Sequence, residues 1–332
     1  ELVRLGGLLG TEQELLQGLH AAMQRHQGPA EADRRAGAAF AQALLKSIDQ
    51  REMPPSAEVR RALARMTDRL RQSAADLSAS EAERATAIDA LGHLEADADT
   101  DGPFLAGLLE PQQPQLVRRA ALAGLGRIAR PHSAQALLTA WRSFEPELRT
   151  RTADLILSRG QWLEPLADAL ERGTVPVNQL DASFRQRLLR ESPEALLPRF
   201  QALVDAGASD RLGIIETYRP ALAMSGDRTR GEQVFERRCS QCHRIGAVGH
   251  AVGPDLASYA TKPAPALLIA VLDPNQAVDY RYLSYTVITV DGRVHSGILA
   301  GESGGSIVLA SEQGKREVIL RSEIEEMRDS GK

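Results

Sequence analysis

Hydrophobic and polar positions follow two different periods along the chain. From residue 1 to about 225, apolar residues recur every three or four positions, and Gly or Pro breaks fall at helix-sized intervals, a pattern typical of amphipathic helices. From Tyr282 onward, apolar and polar residues alternate, which predicts β-strands. Turn residues such as Asp291-Gly292 separate four such runs, at 282–290, 294–301, 306–311 and 316–321. The chain is therefore expected to be mainly α-helical, with a small antiparallel β-meander or barrel near its end.

Three of the predicted helices resemble one another. They align on Arg84, Arg118 and Arg149, at spacings of about thirty residues, and each is followed by a second apolar helix. Helix pairs at such a period are typical of an α-solenoid of the HEAT type, although the period is a little short for typical HEAT units. The three arginines are expected to be solvated or paired with acidic neighbours.

These patterns divide the chain into three predicted domains. Residues 1–78 form an N-terminal helical cap or bundle, and residues 79–225 form the HEAT-like helical repeats. Residues 226–332 form a helical domain with a β insertion at about 281–327. Between 227 and 273, one helix is predicted before the cysteines and a short second one at 262–273.

Composition narrows the range of functions. The chain has 332 residues, 43% of them hydrophobic and 25% charged, and its net charge of −4 provides no general attraction for nucleic acid. No apolar run approaches the roughly 18 residues of a membrane span. The first residue is Glu1 rather than Met and no signal peptide is present, so we expect a processed product or a fragment of a longer protein.

The segment Cys239-Ser240-Gln241-Cys242-His243 carries the clearest chemical signal. It contains the two cysteines of the chain, two positions apart, with a histidine directly after the second. A CxxCH pentapeptide is the attachment signal for c-type haem. The two thiols add to the haem vinyl groups, and this attachment places the adjacent imidazole under the iron. Because c-type haem is attached on the oxidising side of a membrane, a periplasmic or otherwise exported protein is expected.

Other chemistry is compatible with the two cysteines. A CxxC can be a thiol–disulfide pair, which requires a strand–CxxC–helix setting in a βαβ unit. It can also be half of a structural zinc site, but such a site needs four ligands and the chain has no further Cys. A glycine-rich loop follows the motif and ends in Gly253-Pro254-Asp255-Leu256. The carbonyl of Pro254 is the natural partner for the second nitrogen of a ligating His243.

The segment GEQVFERRCSQCH, followed by GPDL, resembles the N-terminal half of a class I cytochrome c. With the helical repeats before it and the KPAPALLIAVLD and strand segments after it, the chain is similar to the haem-binding domain family of planctomycetes and verrucomicrobia. The resemblance covers about 227–332 and, more loosely, the repeats. It implies one covalent haem c, with Cys239 and Cys242 as thioether sites and His243 as the proximal iron ligand. It also implies that Gly253, Pro254 and Leu256 form the loop beneath the haem.

The second axial ligand of the iron is not evident. The family is expected to supply a Met from a Met-Pro loop, and this sequence stops at Lys332, where such a loop would begin. Met327 is the methionine that follows the haem motif, and its position suits packing as well as ligation. His250 and His295 are weaker alternatives. A ligand beyond Lys332 or an open iron are the remaining interpretations.

Three functions are therefore weighed. The first is an electron-transfer module that relays electrons from a dehydrogenase domain or subunit to a downstream acceptor, rather than an enzyme on its own. The second is a helical-repeat scaffold that binds a protein partner and carries a degenerate or zinc-occupied CxxCH. The third is ligand-binding or peroxide chemistry at an open haem iron. The context of the pentapeptide, a helix before it and GPDL after it, favours the first.

Overall fold

The computed structural model describes residues 12–49, 56–94, 97–207, 211–274 and 279–330. It is mainly helical with a small antiparallel sheet, as predicted. Its contacts group the chain into two compact units, residues 1–137 and 138–332. The predicted boundaries at 78/79 and 225/226 stay predictions. Along the described parts of the chain, no helix combines the length and the apolar character that crossing a membrane requires.

The first unit is built from amphipathic helices whose apolar faces meet in one core. Leu19, Leu44, Met66, Leu70 and Leu125 are at most 2% exposed. Ser56 caps the third helix by accepting a hydrogen bond from the amide of Val59 at 3.3 Å, which fixes where that helix begins. The helices are α1 (Glu12–His26), α2 (Glu31–Asp49), α3 (Ala57–Ala75), α4 (Glu81–Asp89), α5 (Ala98–Gly107) and α6 (Gln115–Ile128).

The helices continue past residue 130 and into the second unit. The paired helices predicted for the repeats are all present, whereas the HEAT-like assignment itself stays a prediction. The helices are α7 (Pro131–Ala140), α8 (Pro146–Leu157), α9 (Leu163–Glu171), α10 (Ala182–Glu191), α11 (Leu197–Gly207), α12 (Leu212–Tyr218), α13 (Arg228–Arg238) and α14 (Ala264–Leu272). The last two correspond to the helices predicted on either side of the CSQCH segment.

The aligned arginines have a role that the sequence analysis did not anticipate. Arg84, Arg118 and Arg149 are at most 4% exposed, so they are not solvated, while the alternative of an acidic partner holds at Arg149, which bonds to Asp329. Each Nε donates to a backbone carbonyl of the chain just before its helix, at 2.8–2.9 Å. Carbonyls near the end of a helix or turn lack partners inside that element, and a buried one must find a donor elsewhere. The same contact recurs at all three arginines, as a shared register requires.

The second unit also contains the strands. A two-stranded ribbon pairs β1 (Arg244–Ile245) with β2 (Val248–Gly249). A five-stranded antiparallel sheet has the order β6-β5-β4-β3-β7. Four of its strands match the predicted meander. The predicted count of four was wrong, because the final strand of the sheet was not predicted. The strands are β3 (Ser284–Thr289), β4 (Val294–Glu302), β5 (Ser306–Ala310), β6 (Arg316–Leu320) and β7 (Ile324–Asp329).

Buried polar side chains attach this sheet to the helices around α8. The guanidinium of Arg149 donates to the Asp329 carboxylate at 2.7 Å, and the hydroxyl of Tyr285 donates to Phe144 O at 2.8 Å. Arg321 donates to Glu145 at 2.8 Å, and both side chains are at most 2% exposed. Because buried charges are costly unless paired, these contacts also determine how the sheet faces are oriented on the helices. The sheet therefore has a fixed position relative to the helices of its own unit.

Candidate functional site

The CSQCH segment begins where α13 ends. The side chain of Asp227 caps the start of this helix by accepting from the amide of Arg230 at 3.0 Å. At the other end, the amide of Cys239 donates to Phe235 O at 2.8 Å. Cys239 O then accepts from the amides of Cys242 and His243, at 3.1 and 2.8 Å. These bonds close one compact turn, which brings both thiols and the imidazole onto a single short stretch of chain.

Both cysteines are free thiols and half-buried. Burial raises the pKa of the Cys242 thiol above its ordinary value, and the charge of Glu312 adds to this effect. The CxxC is preceded by a helix and followed by a two-residue ribbon strand. This differs from the strand–CxxC–helix setting that a thioredoxin-like redox pair requires. Among the residues that the structure describes, no group of three or more His, Cys, Asp or Glu side chains is arranged to hold a metal ion.

The imidazole of His243 is oriented by the loop that follows. Its Nδ1 lies 2.9 Å from Pro254 O, so the predicted contact is present. A carbonyl can only accept, and Nδ1 must therefore carry the proton. In the neutral ring the lone pair is then on Nε2, the arrangement found when a histidine binds a metal through Nε2 and donates its other N–H to the backbone.

Gly253 allows the loop to approach this imidazole closely. A Cβ on residue 253 would lie 2.7 Å from His243 Cε1 and 3.0 Å from Nδ1, so any larger residue would displace the ring. The amides of Val252 and Gly253 both donate to Cys242 O, at 3.0 and 2.7 Å. The glycine predicted for this loop therefore lies directly against the predicted ligand.

Sequence reasoning missed a second glycine, Gly249. Its φ of +92° is in the left-handed region, and a Cβ there would lie 2.1 Å from His243 O. A glycine is the residue that such a backbone conformation tolerates. Its presence in a glycine-rich stretch was visible in the sequence, but the close approach to His243 was not.

A salt bridge closes the loop on its outer side. The guanidinium of Arg244 donates to the Asp255 carboxylate at 2.8 and 3.1 Å. This contact, together with the Ala257 amide, lowers the pKa of Asp255 below its ordinary value. Leu256 is half-buried and begins the short 3-10 turn Leu256–Tyr259. His243 thus bonds to Pro254, and Arg244 bonds to Asp255. Together these two contacts hold the loop against the imidazole.

Apolar side chains are exposed on either side of the motif in the sequence, and others are exposed on α14. Val234 and Ile245 are 45% and 44% exposed, and Val271 is 76% exposed. None of the nine residues of α14, with the sequence APALLIAVL, is buried. Exposed apolar surface of this kind marks a site that binds an apolar partner or ligand. A covalently attached haem requires two thiols, a proximal imidazole and an apolar surface. The CSQCH segment and the glycine loop beside it supply these groups, so the residues fit a haem.

Met327 lies in a different setting from the CSQCH loop. It is 1% exposed on β7, directly opposite Val287 of β3. Its role as second axial ligand stays a prediction. Of the two histidines weighed for that position, His295 lies on β4 and its Nδ1 is 2.8 Å from the Glu317 carboxylate. The side chain of His250 is exposed beside Gly314.

A comparison with known protein families identifies the same segment. Residues 229–281 match the family model for cytochrome c. The match begins inside α13, includes the CSQCH turn and α14, and ends before the five-stranded sheet. It supports a cytochrome c-like domain that binds haem c and serves in electron transfer.

Proposed function

We propose that the chain carries a single haem c, that Cys239 and Cys242 each form a thioether bond to that haem, and that His243 is its proximal ligand. The observation that carries this proposal is the hydrogen bond between His243 Nδ1 and Pro254 O at 2.9 Å. It orients the imidazole as a ligand directly after a CxxC pair, and the cytochrome c family match covers the same residues. The haem supplies reversible one-electron exchange at its iron.

The residues of the loop have separate tasks in this proposal. Pro254 O keeps the Nδ1 proton in place, so that Nε2 stays available to the iron. Gly253 leaves room for the imidazole, and the Arg244–Asp255 pair keeps the loop closed outside it. Leu256, with the exposed apolar side chains of Val234 and Ile245 that flank the motif, would shield the haem from water. Burial and hydrogen bonding of this kind are what a protein uses to set a haem potential.

We further propose that the chain relays electrons from a dehydrogenase domain or subunit to a downstream acceptor in the periplasm or outside the cell. This rests on the resemblance to the planctomycete and verrucomicrobial domain family, in which the haem domain follows helical repeats. In this proposal the HEAT-like repeats hold the haem domain in place relative to its partners and offer a surface to a protein partner.

The experiment is expression together with a c-type cytochrome maturation system, followed by a pyridine haemochrome spectrum. The expected result is one haem and one iron per chain, which stay with the polypeptide after denaturation and organic extraction. A matched pair of variants, Cys239→Ser and Cys242→Ser, is expected to lower covalent haem content. Mature protein without covalent haem would contradict the proposal, and stoichiometric zinc in its place would favour the scaffold function.

A further inference from the structure

A turn from the five-stranded sheet lies against the CSQCH segment. This turn, Ser311–Lys315, joins β5 to β6 and is far from the cysteines in sequence. The amide of Gln313 donates to Gln241 O at 2.9 Å, inside the haem motif itself. A Cβ on Gly314 would lie 3.4 Å from His250 Nδ1, which places the turn beside the loop after the motif as well. The turn lies outside the segment that matches the cytochrome c family.

With the hydrogen bond from Gln313, every carbonyl of the CSQC segment has a donor. All four carbonyls accept a hydrogen bond, and Gln241 O is the one whose donor comes from the sheet. The other three accept from the loop itself: Cys239 O from Cys242 and His243, Ser240 O from His250, and Cys242 O from Val252 and Gly253. Gln241 is an exposed residue, so the bond from Gln313 is not compensation for burial; it attaches the backbone between the two cysteines to the sheet.

The turn adopts an unusual backbone conformation to make this contact. Gln313 has φ 61° and ψ 18°, in the left-handed region that residues with a side chain seldom occupy. The next residue, Gly314, has φ 70°. Hydrogen bonds from Ser311 N to Lys315 O at 2.9 Å and from Gly314 N to Ser311 O at 3.1 Å close the turn. A disfavoured conformation persists where its surroundings stabilise it, and here the bond to Gln241 is such a contact.

The same turn brings a charge to the motif. Glu312 directly precedes Gln313, whose amide donates to Gln241 O at 2.9 Å, so this exposed carboxylate is carried on the turn that contacts the haem motif. A fixed negative charge near a haem stabilises the ferric form, which carries one more positive charge than the ferrous form. The effect of an exposed carboxylate is weakened by salt.

We infer that the turn Ser311–Lys315 is a positioning element for the haem-attachment turn, and that Glu312 lowers the midpoint potential of the haem. This inference rests on the proposed function and adds a device outside the cytochrome c segment. Gln313 fixes the backbone between the two thioether cysteines, and Glu312 sets the local charge. Both residues are positioning residues. Gln313 acts through the backbone of the attachment loop, Glu312 acts through its charge, and neither binds the iron.

The test compares midpoint potentials of the haem-loaded protein with and without this charge. Glu312→Gln is expected to raise the potential, and Glu312→Lys to raise it further. Both shifts are expected to shrink as salt is increased from 0.01 to 1 M, over which the Debye length falls from about 30 to about 3 Å. Glu325→Gln on β7 is the matched control, with the same change of charge on another strand of the sheet, and is expected to leave the potential unchanged. Equal potentials for Glu312→Gln and wild type would overturn the role of Glu312.

Hydrogen exchange tests the positioning role without a mutation. In the haem-loaded protein, the amide of Gln313 is expected to exchange far more slowly than that of an unstructured peptide, because it is bonded to Gln241 O. Exchange at the unstructured rate would overturn the contact. Absence of covalent haem would instead contradict the proposed function, so the two failures are distinguished by the haemochrome spectrum alone.

Discussion

Arg149 and Asp329 are 180 residues apart in sequence and form an ion pair of 2.7 Å in which neither side chain is exposed. Arg149 also donates to Gln179 Oε1 at 2.9 Å, and Gln179 in turn bonds to Asp329. Helix α8 and strand β7 are thereby joined by a buried ion pair. If the two elements separated, one of the charges would be left buried without its counter-ion. This pair is one of the buried contacts that hold the sheet, and with it the turn that reaches Gln241, on the helices of this unit.

Asp329→Ala is expected to reduce the free energy of unfolding by about 3–5 kcal/mol, because it leaves the Arg149 charge buried without its counter-ion. The measurement is chemical denaturation of the wild type and the variant at neutral pH. Asp154→Ala is the control, since the Asp154–Arg187 pair is largely exposed, and its expected cost is about 0–1 kcal/mol. Equal losses in the two variants would show that burial does not determine the strength of the pair.

Gly253→Ala is expected to displace the His243 imidazole, because the new Cβ would lie 2.7 Å from its Cε1. The readouts are the visible spectrum of the haem-loaded protein and the rate at which the reduced form binds CO. Displacement of the proximal ligand is expected to change the spectrum and to speed CO binding. Gly107→Ala is the control, since nothing lies within 4 Å of a Cβ built there. An unaltered spectrum in Gly253→Ala would contradict the claim that Gly253 makes room for the His243 imidazole.

Acid is expected to open the loop around the imidazole. Arg244 lowers the pKa of Asp255, so the contact contributes stability above the ordinary carboxyl pKa and loses it as the pH falls through the lowered value, below about pH 4. Hydrogen exchange of the Ala257 amide, which donates to Asp255 at 2.9 Å, reports this opening. Arg244→Gln is expected to raise the pKa of Asp255 and to shift the opening to higher pH. An unshifted midpoint would contradict the role of the pair.

Met327→Leu tests whether this methionine binds the iron. Met327 is buried on β7 opposite Val287, so we expect the substitution to cost less than about 1.5 kcal/mol as a volume-conserving change. The visible spectrum of the haem-loaded protein is expected to stay the same. Loss of a Met–iron absorption band in the variant would identify Met327 as the second axial ligand, and the expectation would then be wrong.

Several features of the fold follow from local patterns, and these were predicted. The helix periodicity before residue 225 and the alternation at β3 to β6 depend on neighbouring positions only. The Asp291-Gly292 turn is an example, with Gly292 at φ 80°. The strand β7 was missed because its pattern is irregular: the register against β3 shifts at Ile288/Thr289, and its inner face includes the charged Asp329.

The sequence by itself determined the chemistry of the haem-attachment motif. Cys239, Cys242 and His243 lie within one pentapeptide, so their spacing alone brings two thiols and an imidazole together. The contact of His243 with Pro254 also lies within one loop, and it was predicted.

Only the tertiary structure decided which distant groups act on that motif. Asp329 is acceptable inside the sheet because Arg149 faces it. Gln313 reaches Gln241 because the sheet is held on the helices by this pair and the other buried polar contacts. Such contacts form when segments far apart in the chain pack together, and burial then makes an otherwise unfavourable charge or backbone angle stable. No local pattern records these pairings, so the partner of Gln241, and the charge of Glu312 that comes with it, became visible only in the folded chain.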